Sequence, residues 1–426
     1  LFGCLFVAFV PLLFLQKNFS KNKKPTYQLL QYVFVAFLLF TILSTYWLAQ
    51  YSFLKALSVW LYHTLCLSAV FMAFYISSNF FGKMVGYLAF VSFYLGFEFL
   101  TVNTNCFWPW LNLGNGLAGQ PVIVQWYEYT GAAGGSLWIL LVNLLLFLFI
   151  EQWFTLKIMN RKKLIGVTAL IIIPVMVSLW LGFANTLIKY QKDKVAIVQP
   201  NVNSYQYKLT ELSQQNNAIT KDHILPILQH LTEEEYDYIV LPETTFSTIL
   251  NLEDSTSNNS PVSFLKKYLK QNGQLIYGAY ATNKEKEKFN TAVFESEENR
   301  SFYIKQKLVP GTEILPVIGN FFNSKTTSFE KKYYHSITKH GYATQAQFPT
   351  AICYESIFGA AVAAQASYKN KPIIILTNDG WFDNTPLINQ HLNIAKLRAI
   401  ENRSYVVRSA NSGISAIISN TGGIMD

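Results

Sequence analysis

The chain has 426 residues, of which 51% are hydrophobic and only 14% charged, and its formal net charge is +9. Soluble globular chains carry about 25% charged residues, so this composition excludes a wholly water-soluble protein and places a large part of the chain in lipid. Loops that fix membrane topology account for the surplus of Lys and Arg, and no nucleic-acid motif gives it another use.

The shortage of charge is confined to the first half. Apolar segments lie at residues 1–15, 29–49, 53–76, 85–100, 136–154 and 164–184. Several approach the length of about 20 residues that crosses about 30 Å of hydrocarbon. The first is short, carries Pro11 and begins with neither Met nor a basic residue. It is expected to be the remainder of a span of a longer chain, not a signal peptide. Lys17, Lys21, Lys23 and Lys24 follow it, Lys83 separates the third and fourth segments, and Lys157, Arg161, Lys162 and Lys163 separate the fifth and sixth. With these loops in the cytoplasm the spans alternate without conflict, and everything after about residue 184 falls on the outer side. The expected division is a transmembrane domain over 1–188 and a soluble domain over 189–426.

Two features of the apolar half carry more than one reading. Trp108-Pro109-Trp110 and the nearby Trp126, Tyr127 and Tyr129 form either an interfacial aromatic belt or a ledge that meets a lipid headgroup. Glu98, inside an apolar run, is protonated, close to the interface, or functional.

The second half reads as strands alternating with helices. Residues 195–198 form a strand that stops at Gln199-Pro200-Asn201, a helical stretch covers 209–231, and 238–241 ends in Pro242-Glu243-Thr244. Further strands cover 274–278, 348–353 and 372–376, the last leading into Asn378-Asp379. This is an α/β pattern, and in such sheets chemistry gathers at the carboxyl ends of strands. Glu243, Cys353 and Asn378 occupy that position. Lys305 alternates with apolar neighbours over 302–308, so it either points into a cleft or is a solvated charge. The stretch 314–340, with Phe321 and Phe322, is either disordered or a lid that touches lipid.

Cys353 is the only cysteine after Cys106, and with Cys4 and Cys66 in apolar segments the soluble domain holds no internal disulfide. A lone cysteine on an apolar strand reads first as a small buried hydrophobe. A carboxylate and a lysine at comparable positions give it a second reading. Glu243 can take the thiol proton, raising the thiolate fraction of Cys353, and Lys305 can stabilise the oxyanion formed on attack. The product is a thioester, resolved by a second nucleophile. A low-pKa outer-face thiolate of this kind is expected to be vulnerable to peroxide. The chain has no Gly-x-Ser-x-Gly elbow, and its six histidines show no paired ligand spacing, so neither a serine esterase nor a metal enzyme is expected.

Pro242-Glu243, Lys305 followed by Leu308-Val309-Pro310 and Glu313, Cys353-Tyr354-Glu355, and Asn378-Asp379-Gly380-Trp381-Phe382 together resemble the nitrilase (carbon-nitrogen hydrolase) superfamily. With the preceding spans, Trp108-Pro109-Trp110, Gln390-His391 and Asn411-Ser412-Gly413, the chain resembles the superfamily's membrane-bound branch, the bacterial apolipoprotein N-acyltransferases. The resemblance implies a multi-span α-helical membrane domain followed by an αββα sandwich. It implies Glu243 as general base, Lys305 as oxyanion stabiliser and Cys353 as acylated nucleophile, with Glu313, Tyr354, Glu355, Asn378 and Trp381 supporting the site or binding substrate. No cofactor or metal is implied. The implied substrates are a phospholipid acyl donor, phosphatidylethanolamine, and the α-amino group of an apolipoprotein's diacylglyceryl-cysteine. The implied location is the outer face of the bacterial cytoplasmic (inner) membrane.

Departures from the family pattern are Gly311-Thr312-Glu313 in place of Phe-Gly-Glu, and no tryptophan over 202–209. The final turn at 420–426 is expected to precede the family's last strands and closing transmembrane helix. Two other readings compete: a membrane-tethered amidase whose thioester is released by water, and a non-catalytic scaffold that binds lipid or a partner. The aromatic and apolar features weigh against the first, and the complete carboxylate–lysine–thiol set against the second.

Overall fold

The computed structural model describes residues 2–104, 108–157, 160–186, 193–203, 220–228, 230–233, 235–255, 262–297, 299–310, 313, 347–366, 371–382 and 385–425. Cys106, Gly311, Thr312, the stretch 314–340 and most of the helix expected over 209–231 lie outside the described residues. The chain divides into two units, Leu1–Ala184 and Asn185–Asp426.

The first unit is helical because in hydrocarbon a backbone must pair its own N–H and C=O groups within the segment. Its helices are α1 (Val10–Lys21), α2 (Thr26–Thr45), the single turn α3 (Leu48–Tyr51), α4 (Phe53–Phe81), α5 (Lys83–Asn103), α6 (Tyr127–Leu156) and α7 (Arg161–Thr186). Among the described residues six are long and apolar enough to cross a membrane, the first counted with the 3₁₀ turn that precedes it, and this is a membrane protein. On α2 the buried residues are Leu29, Val33, Phe37, Thr41 and Thr45, one helical face at a spacing of four. Phe9 packs edge-on against Phe90 and Tyr94, with ring centroids 5.5 and 5.3 Å away.

Between α5 and α6 the chain makes three 3₁₀ turns, Pro109–Leu111, Leu113–Leu117 and Pro121–Ile123. Such turns leave N–H groups over, and side chains from the flanking helices accept them. Glu98 accepts from the Leu113 N–H at 2.6 Å, and Ser136 Oγ from the Gly114 N–H at 2.8 Å. Glu98 is therefore a buried acceptor that clamps a turn. Gly114 has to be glycine, since a Cβ there would fall 1.8 Å from the Ala132 carbonyl oxygen. Trp110 is buried with its ring 5.4 Å from that of Trp47, so this part of the aromatic stretch is packing core.

The second unit holds two sheets. One runs β1 (Val195–Ile197), β2 (Tyr236–Val240), β4 (Leu269–Thr282), β5 (Lys288–Glu295), β6 (Arg300–Ile304), with β3 (Phe246–Asn251) added to the far end of β4. The other runs β10 (Ala416–Ile418), β9 (Val406–Ala410), β8 (Ile373–Thr377), β7 (Thr350–Ile352). Val240, Ile276 and Phe294 of the first sheet share one core with Phe348, Ile352, Leu376 and Val407 of the second. The outer face of the second sheet is covered by α8 (Gly359–Ala366) and α9 (Pro386–Asn402), through Val362, Leu392, Ala395 and Ala399. The fold is a nitrilase-like sandwich.

Strand direction assembles the site. β1, β2 and β4 are mutually parallel, while β5 is antiparallel to β4 and β6 antiparallel to β5. β6 therefore points the same way as β2, and their carboxyl ends share an edge. In the facing sheet β7, β8 and β9 are parallel, so the residues that follow them also emerge together.

Candidate active site

Glu243 follows β2 on a loop pressed against β4. Gly278 permits that approach, because a Cβ there would lie 2.4 Å from the Thr244 nitrogen and 2.6 Å from the Glu243 Cα. The next residue, Thr244, has φ 45°, a left-handed conformation that costs a non-glycine residue about 1–3 kcal/mol. Lys305 is the first residue past β6. Of the two readings of Lys305, cleft or solvated charge, the structure shows the buried one: β6 ends at Ile304 and the lysine is 2% exposed.

Lys305 Nζ donates to Glu243 Oε1 at 3.1 Å and to Glu313 Oε1 at 2.9 Å. Asn290, on β5, donates to the same Glu243 oxygen at 2.8 Å. Glu313 is fixed in turn by the Val309 N–H, 2.8 Å from its Oε2. Burial acts to lower the Lys305 pKa, but Glu243 and Glu313 outweigh it and hold the ammonium well above its ordinary value.

Cys353 follows β7 and opens a 3₁₀ turn, Cys353–Ile357. Its φ is 54°, again left-handed, and the residue as a whole is partly exposed. Glu355 holds the turn from inside. Its Oε2 accepts from the Ile352 N–H at 2.8 Å, and its Oε1 from the Lys307 N–H at 2.9 Å and the Tyr303 hydroxyl at 3.2 Å. One carboxylate thus ties the end of β7 to the end of β6, and so Cys353 to Lys305. Tyr354 is buried edge-on against Phe358, and its hydroxyl has no hydrogen-bond partner among the described residues. Asn378 accepts from Asn411 Nδ2 at 3.0 Å, which joins the ends of β8 and β9, and Trp381 sits partly exposed on the turn after β8.

One expectation is overturned. Burial first, and the Glu243 charge second, push the Cys353 thiol up to about 12, with Lys305 opposing. Burial and the Glu243 charge together outweigh the Lys305 ammonium, which favours the neutral thiol. For such a thiol to attack, its proton has to leave as the new bond forms, which calls for a nearby acceptor rather than for a standing thiolate.

Sequence reasoning missed two groups. Asn290 shows no local signal; only the pairing of β5 with β4 brings it to Glu243. His391, on α9, has Nδ1 2.8 Å from Asp379 Oδ1, and Asp379 Oδ2 accepts from Arg408 at 2.8 Å. Burial would raise the Asp379 pKa, but Arg408 and His391 hold it well below the usual carboxylate range. The Gln390-His391 pair was visible in the sequence, but its partner lies across the sheet.

Residues 194–425 match the carbon-nitrogen hydrolase family, and residues 1–145 match the apolipoprotein N-acyltransferase N-terminal domain. A relative from Chlorobaculum tepidum named apolipoprotein N-acyltransferase is 25% identical over 421 residues, covering 89% of this chain and 76% of the relative. One of the same name from Aquifex aeolicus is 27% identical over 325 residues, covering 74% of this chain and 67% of the relative. Among solved structures, Saccharomyces cerevisiae Nit3, a member of branch 10 of the nitrilase superfamily, is 17% identical and covers 55% of this chain and 85% of its own, with a TM-score of 0.37.

Proposed function

We infer that this chain, which belongs to the carbon-nitrogen hydrolase family, transfers an acyl chain from a phospholipid to the α-amino group of an apolipoprotein's N-terminal diacylglyceryl-cysteine. The observation that carries this reading is Lys305 buried between Glu243 and Glu313 and tied through Glu355 to the strand end that carries Cys353, in a chain with six apolar helices among its described residues. Apolar spans suit substrates that live in the bilayer. The donor that fits is phosphatidylethanolamine, and the positive loops at Lys17–Lys24, Lys83 and Lys157–Lys163 favour an inner-membrane orientation with the α/β unit outside.

The chemistry runs in two balanced steps. Cys353 Sγ bonds to the ester carbonyl carbon while its proton passes to Glu243, and the oxyanion faces Lys305. Collapse breaks the ester C–O bond, the lysophospholipid oxygen takes the proton from Glu243, and a thioester remains. The acceptor amine then attacks the thioester carbon and gives a proton to Glu243. Collapse breaks the C–S bond, the sulfur regains that proton, and an amide leaves.

The test is purified protein with phosphatidylethanolamine and a synthetic diacylglyceryl-cysteine peptide. The expected product is a peptide heavier by one acyl group that has lost its free amine. Release of free fatty acid with the peptide unchanged would sink the transferase reading in favour of a hydrolase.

A further inference from the structure

Beneath the nucleophile lies a buried chain of polar groups that takes no part in the two steps above. His391 Nε2 is 3.2 Å from the Cys353 carbonyl oxygen and 2.9 Å from Ser356 Oγ, while Nδ1 faces Asp379. Asp379 is itself anchored by Arg408 and by the Thr377 hydroxyl at 3.1 Å. Ser356, His391, Asp379 and Arg408 are all 2% exposed or less.

A carbonyl oxygen only accepts hydrogen bonds, so a bond to Cys353 requires hydrogen on Nε2. The contact to the ionised Asp379 requires hydrogen on Nδ1. Ser356 Oγ lies on the same side of the ring, 2.9 Å from Nε2, and its hydroxyl rotates to suit its neighbours. Meanwhile the Cys353 backbone, at φ 54°, sits in a conformation that persists only when its surroundings over-determine it. Glu355 holds the peptide between Ala351 and Ile352, and His391 meets the one between Cys353 and Tyr354.

We propose that His391 is a positioning residue, whose Nε2–H holds the Cys353 carbonyl and thereby fixes the left-handed turn from which the thiol projects. Holding that carbonyl also fixes the plane of the trans peptide to Tyr354, whose N–H leaves from the opposite edge. The inference rests on the proposed acyl transfer only for its natural substrate, since the turn aims the sulfur whatever the electrophile.

Two variants separate positioning from mere packing. In His391→Gln the side-chain amide reaches as far as Nε2 and keeps a donor for the Cys353 carbonyl. In His391→Asn the donor falls at the Nδ1 position and that bond is lost. The full chain in detergent is assayed for acylation of Cys353 by phosphatidylethanolamine and for its alkylation by iodoacetamide, beside thermal melting. Expected is a tenfold or larger loss of both rates per folded molecule in His391→Asn, with His391→Gln within about threefold of the parent. Equal rates in the two variants, with both folded, would overturn the proposal.

Should His391→Asn not fold, Ser356→Ala carries the test. It leaves the Nε2 hydrogen only the Cys353 carbonyl, so the rates should not fall; a tenfold fall in a folded protein would overturn the proposal. A parent that alkylates but never acylates would count against the acyl-transfer reading alone, and the alkylation series would still decide the role of His391.

Discussion

β5 and β6 carry an ionic cluster at each end, and the two differ in kind. At one end Arg300 and Lys266 meet Glu295 at 3.2 Å each, Arg300 reaches Asp254 at 3.7 Å, and the Tyr277 hydroxyl donates to Glu295 at 2.9 Å. Two acids match two bases, and none of these residues has a left-handed backbone. At the other end two carboxylates share one ammonium, Thr244 and Cys353 are left-handed, and a thiol lies alongside. Balanced charge with relaxed backbone marks a cluster that holds the sheet together. Unbalanced charge, strained backbone and a nucleophile mark one arranged for chemistry.

The comparison breaks if substitutions at the two ends do the same thing. The largest effect is expected from Glu243→Gln, which keeps an oxygen for Lys305 and Asn290 but cannot take a proton. Acylation should slow by about 10²–10⁴-fold with little change in melting. An acylation rate within threefold of the parent would remove Glu243 as the base. At the opposite end, Arg300→Ala leaves Glu295 buried without its main partner and should cost about 3–5 kcal/mol of stability. Chemical denaturation reads the loss, and the acylation rate per folded molecule should stay at the parent's level; a folded variant with lost activity would erase the distinction.

How far the sequence anticipated this follows from what local pattern can encode. Glu243 and Cys353 were legible because each stands where an apolar strand run stops, and strand ends in α/β sheets are where sites form. Lys305 was ambiguous, since alternation alone does not say that β6 ends at Ile304. Asn290 and the Asp379–His391 pair were invisible as partners, because their contacts depend on strand order and on α9 packing across the second sheet. The thiolate expectation failed first because burial disfavours the charged sulfur and second because of the Glu243 charge. A carboxylate beside a thiol looks like activation in a sequence, but in a buried site its charge opposes ionisation. Glu98 proved to be a clamp on a turn, a role that no spacing announces.

A smaller effect sharpens the same contrast through Glu355, which holds the turn that Cys353 opens. Burial pushes its carboxyl from an ordinary 4.5 up to about 7, against the opposing N–H groups of Ile352, Lys307 and Gln306 and the charge of Lys305. Between these values the folded protein keeps a proton that the unfolded chain has released, so stability falls as pH rises through that window. The change is at most about 3.5 kcal/mol, at about 1.4 kcal/mol per pH unit. Melting temperature should decline from about pH 4.5 to 7 in the parent and decline less in Glu355→Gln. Parallel profiles would show that Glu355 is ionised throughout.

The central claim is that Cys353 carries the acyl group between two substrates. Intact mass of the full-length protein after incubation with phosphatidylethanolamine, beside Cys353→Ala, tests it directly. The account predicts an added acyl mass that hydroxylamine removes and that the variant never acquires. A folded parent that gains no mass, or a variant that gains the same mass, would contradict it.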